Sequence, residues 1–185
     1  NMCFGKIPSK EVVKAFDVSL ILYAEHSFNA STFTARVISS SLSDMHGAVC
    51  GAIASLKGPL HCGANEAVTK MLNEVKELEN AKEFILNKIK NKELIMGFGH
   101  RVYRKGDSRV PTMTEYYYKT AEFYKNEKLP AISKILAETM LKEKNIYPNL
   151  DFPAGPSYYL MGFDIDFVTP IFIVSRSTGW SAHII

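Results

Sequence analysis

Apolar residues recur at intervals of three and four along most of the chain, which is the spacing of an amphipathic helix. In the first such segment, Val12, Phe16 and Leu20 follow Ser9, a residue type that favours helix N-termini. The pattern predicts a helix that starts after Ser9 and runs to about His26. Further segments of this kind predict helices over residues 32–41, 44–56, 63–76, 80–90, 112–125, 132–144, 158–161 and 170–185.

Glycine and proline separate these segments, and alternation of apolar and polar residues is nowhere sustained. The helix over 44–56 is rich in alanine and glycine, which predicts close packing and burial, with Ser43 as its cap. Residues 148–156 predict a loop, and residues 94–99 form a short apolar stretch that is compatible with an extended backbone. Because helical segments dominate, the sequence predicts an all-α fold.

The middle of the chain, from about residue 66 to residue 145, is richer in charged residues than the apolar segments on either side. This contrast predicts a small domain inserted between two parts of a larger one. We expect residues 1–60 to belong to the large domain, residues 61–156 to form approximately the small domain, and residues 157–185 to return to the large domain.

The composition is that of an ordinary globular protein, since 46% of the 185 residues are hydrophobic and 22% are charged. The net charge of +3 is too small to indicate nucleic-acid binding. Three cysteines without paired short spacing indicate neither a disulfide framework nor a zinc ribbon, so we expect a reducing, cytoplasmic compartment. No apolar run reaches about 18 residues, so neither a membrane span nor a membrane partner is expected.

Both ends of the sequence suggest a longer polypeptide. The first residue is Asn1 rather than a methionine, and the last, Ile185, lies inside a predicted helix. We therefore expect the chain to be part of a larger protein.

The segment from Gly97 to Arg109 is the strongest candidate for chemistry. His100 follows two glycines, which allow a ligand to approach the backbone closely. The cationic residues that follow His100 within ten positions are Arg101, Arg104, Lys105 and Arg109. Such a segment can hold an anion beside a proton donor. The alternative is a helix that stops at glycine and continues into a solvated basic loop.

Three further positions are candidates, each with an ordinary structural alternative. His26 lies at a predicted helix end, where the helix dipole favours a histidine for structural reasons alone. His61 stands in a Gly/Pro loop directly before a helix, where it is either a hydrogen-bond donor or a plain loop residue. Asp151 lies between Leu150 and Phe152, so burial would raise its pKa and make it a better base. The alternative for Asp151 is a turn or helix-capping aspartate.

Together, in this order and spacing, these segments resemble the citrate synthase family. The segments that carry the resemblance are Gly97–Tyr103 with Asp107 and Arg109, Ala24–His26 with Asn29–Thr32, Lys57–His61, Asn149–Phe152, Thr169–Phe172 and Ser175–Arg176. The resemblance covers nearly the whole chain, but only about the C-terminal half of a typical family member. It implies an all-α, citrate-synthase-like fold with part of a large domain and an inserted small domain.

The resemblance implies a role for each candidate residue. Asp151 would remove a methyl proton from an acyl-CoA thioester, His61 would hydrogen-bond the thioester oxygen, and His100 would polarise or protonate the ketone of oxaloacetate. The residues that would bind oxaloacetate are His26, Arg109 and Arg176. The residues that would contact coenzyme A are Ile95, Met96, Gly97, Phe98, Gly99 and Arg104.

The implied activity is the condensation of acetyl-CoA with oxaloacetate, which gives citrate and coenzyme A at the entry to the tricarboxylic acid cycle. Acetyl-CoA is then a co-substrate. Neither a tightly bound cofactor nor a metal is implied, because imidazoles and arginines supply the positive groups. The resemblance also implies a homodimer, with the helices over 32–41 and 44–56 as candidates for its interface.

One departure from the family pattern lies beside the candidate base. The sequence Phe152-Pro153-Ala154-Gly155 replaces the more usual Phe-Tyr-Ser-Gly, and in this it resembles some 2-methylcitrate synthases. Propionyl-CoA is therefore the alternative acyl substrate. Acyl selectivity rests on contacts of the size of one or two methylene groups, so these residues do not separate the two substrates.

Two hypotheses of other classes remain. A non-catalytic helical dimerisation scaffold would have no physical need for His61, His100 and Asp151 together, which favours an enzyme. A metal site built from His26, His61 and His100 lacks the short ligand spacings of zinc sites. We also expect the 185 residues alone to be inactive or nearly so, because family members carry roughly as much chain again before this region.

Overall fold

The computed structural model describes residues 2–58, 61, 63–100, 103 and 105–185. In this part of the chain, nine α-helices and two single 3₁₀ turns, Leu78–Asn80 and Ile165–Phe167, are joined by short loops. The helices are α1 (Lys10–Ala24), α2 (Ala30–Ser40), α3 (Met45–Leu56), α4 (Gly63–Glu74), α5 (Ala81–Lys90), α6 (Val110–Phe123), α7 (Lys128–Lys144), α8 (Asp151–Leu160) and α9 (Val168–Ile184). The prediction of an all-α fold is confirmed. No helix in the described ranges is long and apolar enough to cross a membrane.

Polar side chains determine where α1 and α2 begin. The predicted cap Ser9 is confirmed, because its hydroxyl accepts a hydrogen bond from the backbone N–H of Val12 at 3.3 Å. The side chain of Asn29 accepts the N–H of Thr32 at 3.1 Å, so α2 begins two residues before its predicted start. Each cap satisfies one of the N–H groups that a helix start leaves without a partner in the helix.

Helix α3 corrects two expectations. The predicted cap Ser43 is wrong, because the carboxylate of Asp44 accepts the N–H of Gly47 at 2.7 Å. A carboxylate at this position also interacts favourably with the positive end of the helix dipole. The expected burial holds for one face only: Ala52 is fully buried, whereas Cys50 on the other face is exposed. The small residues therefore let α3 pack closely against α2 and α9 while its outer face stays open.

The predicted loop over residues 148–156 is wrong, because α8 begins at Asp151. Leu150 is the N-cap residue, and the side chain of Asn149 just before it accepts the N–H of Asp151 at 3.1 Å, so this N–H of the first turn has a partner. Pro153 stands in the first turn, where its missing N–H would have no helical partner. Pro156 lies inside the helix, and nearly every residue around it is buried. Tertiary packing therefore overrides the local preference of proline for a break.

Buried apolar side chains form two clusters. The first cluster, between α1, α2, α3, α8 and α9, includes Ala15, Tyr23, Leu56, Tyr158 and Trp180. The second cluster, between α4, α5, α7 and the middle of α6, includes Val68, Leu72, Ile85, Tyr117 and Leu136. Helix α8 contributes to both clusters, because Tyr158 belongs to the first and Phe152 to the second. The division of the chain into a large and a small domain stays a prediction.

Candidate active site

The C-terminal end of α1 lies directly against α9. Gly179 permits this approach, because a Cβ atom at that position would lie 2.1 Å from the carbonyl oxygen of Ala24. Arg176, one turn earlier on α9, is almost fully buried and donates from Nε to the carbonyl oxygen of Tyr23 at 2.5 Å. Its guanidinium carbon lies 4.7 Å from the ring centroid of Phe172. Helix α9 therefore holds a buried cation at the point where α1 ends.

Two histidines meet just beyond the end of α1. The Nε2 atoms of His26 and His100 are 2.8 Å apart. The Nδ1 atom of His100 accepts the backbone N–H of Tyr103 at 3.2 Å, so a neutral His100 carries its proton on Nε2 and donates it to His26. The ring of Tyr103 packs against both imidazoles, with centroid distances of 4.7 Å to His100 and 5.5 Å to His26. This arrangement fixes the tautomer of His100.

Burial keeps both of these imidazoles neutral. It lowers the pKa of His26 to about 4, and the positive charge of Arg109 acts in the same direction. Burial likewise lowers the pKa of His100, although the negative charge of Asp107 opposes the shift. Near pH 7 the pair therefore acts through neutral hydrogen-bond donors and acceptors rather than through positive charge.

Arg109 lies immediately before α6 and is held by a buried carboxylate. Its Nε donates to Oδ1 of Asp107 at 3.0 Å and its Nη2 donates to Oδ2 at 2.7 Å, so the ion pair is bidentate. Its Nη1 also donates to the carbonyl oxygen of Leu22 on α1 at 3.3 Å. Burial alone would raise the pKa of Asp107, but the hydrogen bonds from Arg109 outweigh it and hold this pKa below its usual value. The guanidinium is thereby fixed beside the end of α1.

His61 lies between Gly58 and the start of α4, and it faces the first turn of α2. Its Nε2 accepts the backbone N–H of Ser31 at 3.4 Å and lies 3.0 Å from the Ser31 hydroxyl oxygen. That hydroxyl also accepts the indole N–H of Trp180 on α9 at 3.2 Å. Burial lowers the pKa of His61 to about 4, with a contribution from the charge of Arg176. Since Nε2 is an acceptor, the neutral ring carries its proton on Nδ1.

Asp151 is the first residue of α8, where the positive end of the helix favours a carboxylate. The hydroxyl of Tyr23 donates to its Oδ1 at 2.8 Å. Burial raises the pKa of Asp151 to about 6, although the Tyr23 hydrogen bond and the charges of Arg109 and Arg176 oppose the shift. The expectation that burial raises this pKa is confirmed. Such a carboxyl is mostly ionised at pH 7 and still basic enough to accept a proton.

The backbone around Gly97 pairs with the segment that leads into α8. Phe98 and Pro148 form an antiparallel bridge, and the N–H of Asn149 donates to the carbonyl oxygen of Gly97 at 2.9 Å. Gly97 has a φ of +83°, and a Cβ atom there would lie 2.5 Å from Cγ2 of Val68. Glycine is therefore required both by the backbone conformation and by the close approach of α4.

The predicted coenzyme A segment is described only in part. Ile95 and Met96 are partly buried and lead into the bridged backbone, whereas Arg104 lies outside the described residues. Beside this segment a cavity of about 230 Å³ opens, and its lining includes His100, Tyr103 and Tyr147. The cavity therefore connects the predicted coenzyme A segment to one of the candidate imidazoles.

The charges of two arginines lower the pKa values of both the candidate carboxylate and the candidate imidazoles. The positive charges of Arg109 and Arg176 both lower the pKa of Asp151. Both charges also lower the pKa of His26. In addition, Arg176 lowers the pKa of His61, and Arg109 lowers that of His100. The predicted carboxylate, imidazoles and guanidinium groups thus cluster around the C-terminal end of α1, and we call this place the cleft. They come from α8, from α9 and from the segments after α1, before α4 and before α6.

Three polar side chains beside this cleft were not predicted from the sequence. Tyr23 lies in the last turn of α1, and its hydroxyl contacts Asp151 and accepts from Nδ2 of Asn65 at 2.9 Å. Ser31, in the first turn of α2, contacts Nε2 of His61 through both its backbone N–H and its hydroxyl. In the predicted helix to about His26, the spacing of three would place Tyr23 on the face of His26, and this was the available signal, although α1 ends at Ala24 and His26 lies beyond it.

The described part of the chain contains no cluster of three or more histidine, cysteine, aspartate or glutamate side chains placed to hold a metal ion. His26 and His100 instead contact each other, and His61 contacts Ser31. The alternative of a three-histidine metal site therefore gains no support from the structure.

The whole chain matches a known protein family. The family model described as "Citrate synthase, C-terminal domain" matches residues 1–185. A 2-methylcitrate synthase of Mycobacterium tuberculosis is 55% identical over 184 residues, which cover 100% of this chain and 47% of that protein. A citrate synthase of Mycolicibacterium smegmatis is 53% identical over 184 residues, which cover 100% of this chain and 49% of that protein. The chain thus spans about half the length of the curated relatives it matches.

A solved structure has the same arrangement of helices. It is the ternary complex of carboxymethyl coenzyme A and oxaloacetate with the citrate synthase of Thermoplasma acidophilum, with a TM-score of 0.93 and 37% identity. The match covers 100% of this chain and 50% of that chain. The similarity therefore extends over all the helices rather than over a single motif.

Proposed function

The chain belongs to the citrate synthase family, and from this premise we propose that the complete protein condenses acetyl-CoA with oxaloacetate to give citrate and coenzyme A. The observation that carries the proposal is the cluster of groups at the end of α1, where the hydroxyl of Tyr23 contacts the Asp151 carboxyl, the α1 backbone holds two arginines, and the imidazoles of His26 and His100 meet. These groups supply a base, hydrogen-bond donors and anion binders. Enolisation of a thioester beside a bound dicarboxylate requires all three.

The residues proposed to bind oxaloacetate are Arg109, Arg176 and His26. The first guanidinium is held by Asp107 and the second by the carbonyl oxygen of Tyr23, so neither has to be ordered when the substrate arrives. Forked guanidinium donors match carboxylate oxygens. The Nε2 proton of His100, which is donated to His26 in this structure, would be donated to the ketone oxygen of oxaloacetate.

The reaction then follows from the protonation states of three groups. Asp151, as the carboxylate, removes a proton from the methyl group of the thioester, while the Nδ1–H of His61 donates to the thioester oxygen as negative charge develops there. The resulting enolate carbon attacks the ketone carbon of oxaloacetate, and His100 gives its proton to the ketone oxygen. Water then cleaves the thioester, which releases citrate and coenzyme A, and the proton that Asp151 took from the methyl group is returned to His100, so that both groups regain their starting states.

Coenzyme A would bind along the bridged backbone of residues 95–99 and the adjoining cavity, with Arg104 as a further contact. The solved relative from Thermoplasma acidophilum contains carboxymethyl coenzyme A and oxaloacetate together, which supports a shared cleft for both substrates. We propose that the second cluster is the core of a small domain of about residues 61–156 that closes over this cleft. Closure would exclude water until condensation is complete.

The second candidate activity is 2-methylcitrate synthesis from propionyl-CoA. It is favoured by the 55% identity to a 2-methylcitrate synthase. The buried side chains of Phe152 and Pro153 directly follow the candidate base, so they are placed to border the acyl group. Both activities use the same base and the same donors, and they differ by one methylene group in the substrate.

Release of the coenzyme A thiol by the complete protein tests both candidates. We expect release with oxaloacetate and either acyl-CoA, and the ratio of kcat/KM for acetyl-CoA to that for propionyl-CoA identifies the preferred substrate. One methylene group discriminates by about 10–200-fold. If neither acyl-CoA supported release, the proposed function would be wrong, and the non-catalytic scaffold would become the better explanation.

The complete protein is also proposed to be a homodimer. Phe33 and Val37 on the outer face of α2 are 58% and 51% exposed, and Met45 at the start of α3 is 39% exposed. A face of this kind, on helices rich in small residues, is suited to close packing against a second copy. A solution mass of one protomer, measured by light scattering, would refute the dimer.

A further inference from the structure

We propose that Tyr23 is a positioning residue for Asp151: its hydroxyl holds Oδ1 of the carboxylate, so that the other oxygen, Oδ2, faces the acyl group. The inference rests on the proposed function, in which Asp151 is the base. The tyrosine itself touches neither substrate in this scheme, and it acts on the reaction through the carboxylate.

The direction of the hydrogen bonds carries the argument. Nδ2 of Asn65 donates to the hydroxyl oxygen of Tyr23 at 2.9 Å, and the hydroxyl lies 2.8 Å from Oδ1 of Asp151. Oδ1 of Asn65 lies 3.3 Å from the hydroxyl and is a second acceptor for its proton, but the carboxylate oxygen is closer and charged. Because a phenol has one proton and a carboxylate can only accept, the Tyr23 proton is directed to Asp151. Tyr23 is 2% exposed and Asn65 is fully buried, so the donor side of this bond is shielded from water. The chain of bonds joins α4, α1 and α8.

The rest of Tyr23 is fixed independently of its hydroxyl. Its ring centroid lies 4.4 Å from that of Phe172, and its backbone carbonyl accepts the hydrogen bond from Arg176. A phenylalanine at position 23 would keep both contacts. The hydroxyl can therefore be removed without disturbing the arginine that is proposed to bind oxaloacetate.

The groups around the carboxylate determine whether removal of the Tyr23 hydroxyl raises or lowers the pKa of Asp151. The charged or titratable groups that act on Asp151 are Tyr23 on α1, Arg109 and Asp107 before α6, and Arg176 on α9, while α4 presents the uncharged Asn65. The Tyr23 hydrogen bond favours the charged form of Asp151, so its loss raises the pKa of Asp151. Burial and the negative charge of Asp151 raise the pKa of Tyr23 itself well above its usual value, so its hydroxyl remains a donor.

The test is Tyr23→Phe in the complete protein, with kcat measured against pH. In the wild type we expect kcat to rise with pH through the pKa of Asp151, about 6, and then to level off. In the variant the half-maximal point should move up by about 1 pH unit, and the plateau should fall by roughly tenfold because Oδ2 is no longer aimed. KM for oxaloacetate should stay within about twofold of the wild-type value, since the backbone carbonyl of residue 23 is retained.

Tyr117→Phe is the matched control. Tyr117 is also a buried tyrosine, and its hydroxyl pairs with Oγ of Ser133 at 3.1 Å in the second cluster. We expect this variant to keep the wild-type pH profile and plateau. A change of the same size in both variants would show a general effect of losing a buried hydroxyl, and the role of Tyr23 as a positioning residue would be refuted.

A titration of the Asp151 carboxyl by ¹³C NMR separates this inference from the proposed function. The signal is assigned by its loss in Asp151→Asn. A higher pKa of Asp151 in Tyr23→Phe supports the hydrogen bond even if the wild type releases no thiol, in which case only the proposed function fails. An unchanged pKa overturns the inference, and so does a raised pKa together with an unchanged profile of kcat in an active protein.

Discussion

Each hydrophobic cluster contains a buried tyrosine whose hydroxyl is hydrogen-bonded, but the hydroxyls of Tyr23 and Tyr117 have different kinds of partner. In the second cluster the hydroxyl of Tyr117 pairs with Ser133, and that of Thr139 donates to the carbonyl oxygen of Ile135. These bonds begin and end within the cluster. In the first cluster the hydroxyl of Tyr23 donates to Asp151 at the edge of the cleft.

The difference lies in the partner rather than in the degree of burial. Tyr23 and Tyr117 are 2% and 1% exposed, and burial raises the pKa of both. A buried hydroxyl has to be hydrogen-bonded wherever it lies, because an unpaired one costs about 1–3 kcal/mol. For Tyr117 this requirement is met by a structural partner, as it is for Tyr158 of the first cluster, whose hydroxyl donates to Ser19 at 2.9 Å. For Tyr23 it is met by a group that titrates near neutral pH, which ties the packing of α1 to the properties of the proposed base.

Asp151→Asn should have a larger effect on kcat than any of the other substitutions. A small effect would contradict the link between Tyr23 of the first cluster and the proposed base. We expect kcat for thiol release to fall by about 10²–10⁴-fold, because an amide cannot take up the proton. The measurement is the initial rate with saturating oxaloacetate and acyl-CoA. Asp166→Asn, in an exposed 3₁₀ turn, is the control and should keep the wild-type rate. A rate above half of the wild-type value in Asp151→Asn would mean that the first cluster does not surround the base.

Leu136→Ala tests the second cluster. Leu136 is fully buried on α7, so we expect the free energy of unfolding in urea to fall by about 2–5 kcal/mol. The value of kcat at a temperature well below the transition should stay within about twofold. Leu94→Ala, at a position that is 74% exposed, should change the free energy of unfolding by less than about 0.5 kcal/mol. A large loss of kcat with unchanged stability would show that the second cluster acts on the chemistry directly.

Arg176→Lys tests whether the buried arginine beside Tyr23 in the first cluster binds oxaloacetate. Lysine keeps the positive charge but loses the planar fork and the Nε hydrogen bond to the carbonyl oxygen of Tyr23. We expect KM for oxaloacetate to rise by about 10–100-fold, with a much smaller change in KM for the acyl-CoA. Arg36→Lys, at an exposed arginine beside His183, is the control and should change neither KM. Equal changes in both KM values would contradict the assignment of Arg176 to oxaloacetate.

Most of the helices and most of the cleft residues could be predicted from the sequence. Apolar spacing located the segments, and Ser9 was recognisable as a cap because its action is local. The start of α8 was missed, since two prolines and a glycine favour a loop and only burial shows that the helix continues through them. His26, His61, His100 and Asp151 were found from residue type and order rather than from any contact.

By itself the sequence determined most of the helical segments and which groups are available for acid–base chemistry, because helix spacing and residue type can be read from residues close together in the chain, whereas the helical start of α8 depends on burial. The tertiary structure alone decided which groups meet. Tyr23 and Asp151 are 128 positions apart, and their contact exists only because α1, α4 and α8 pack together. The tautomers of His61 and His100 and the raised pKa of Asp151 follow from the same packing, since hydrogen-bond partners and burial are properties of the folded chain.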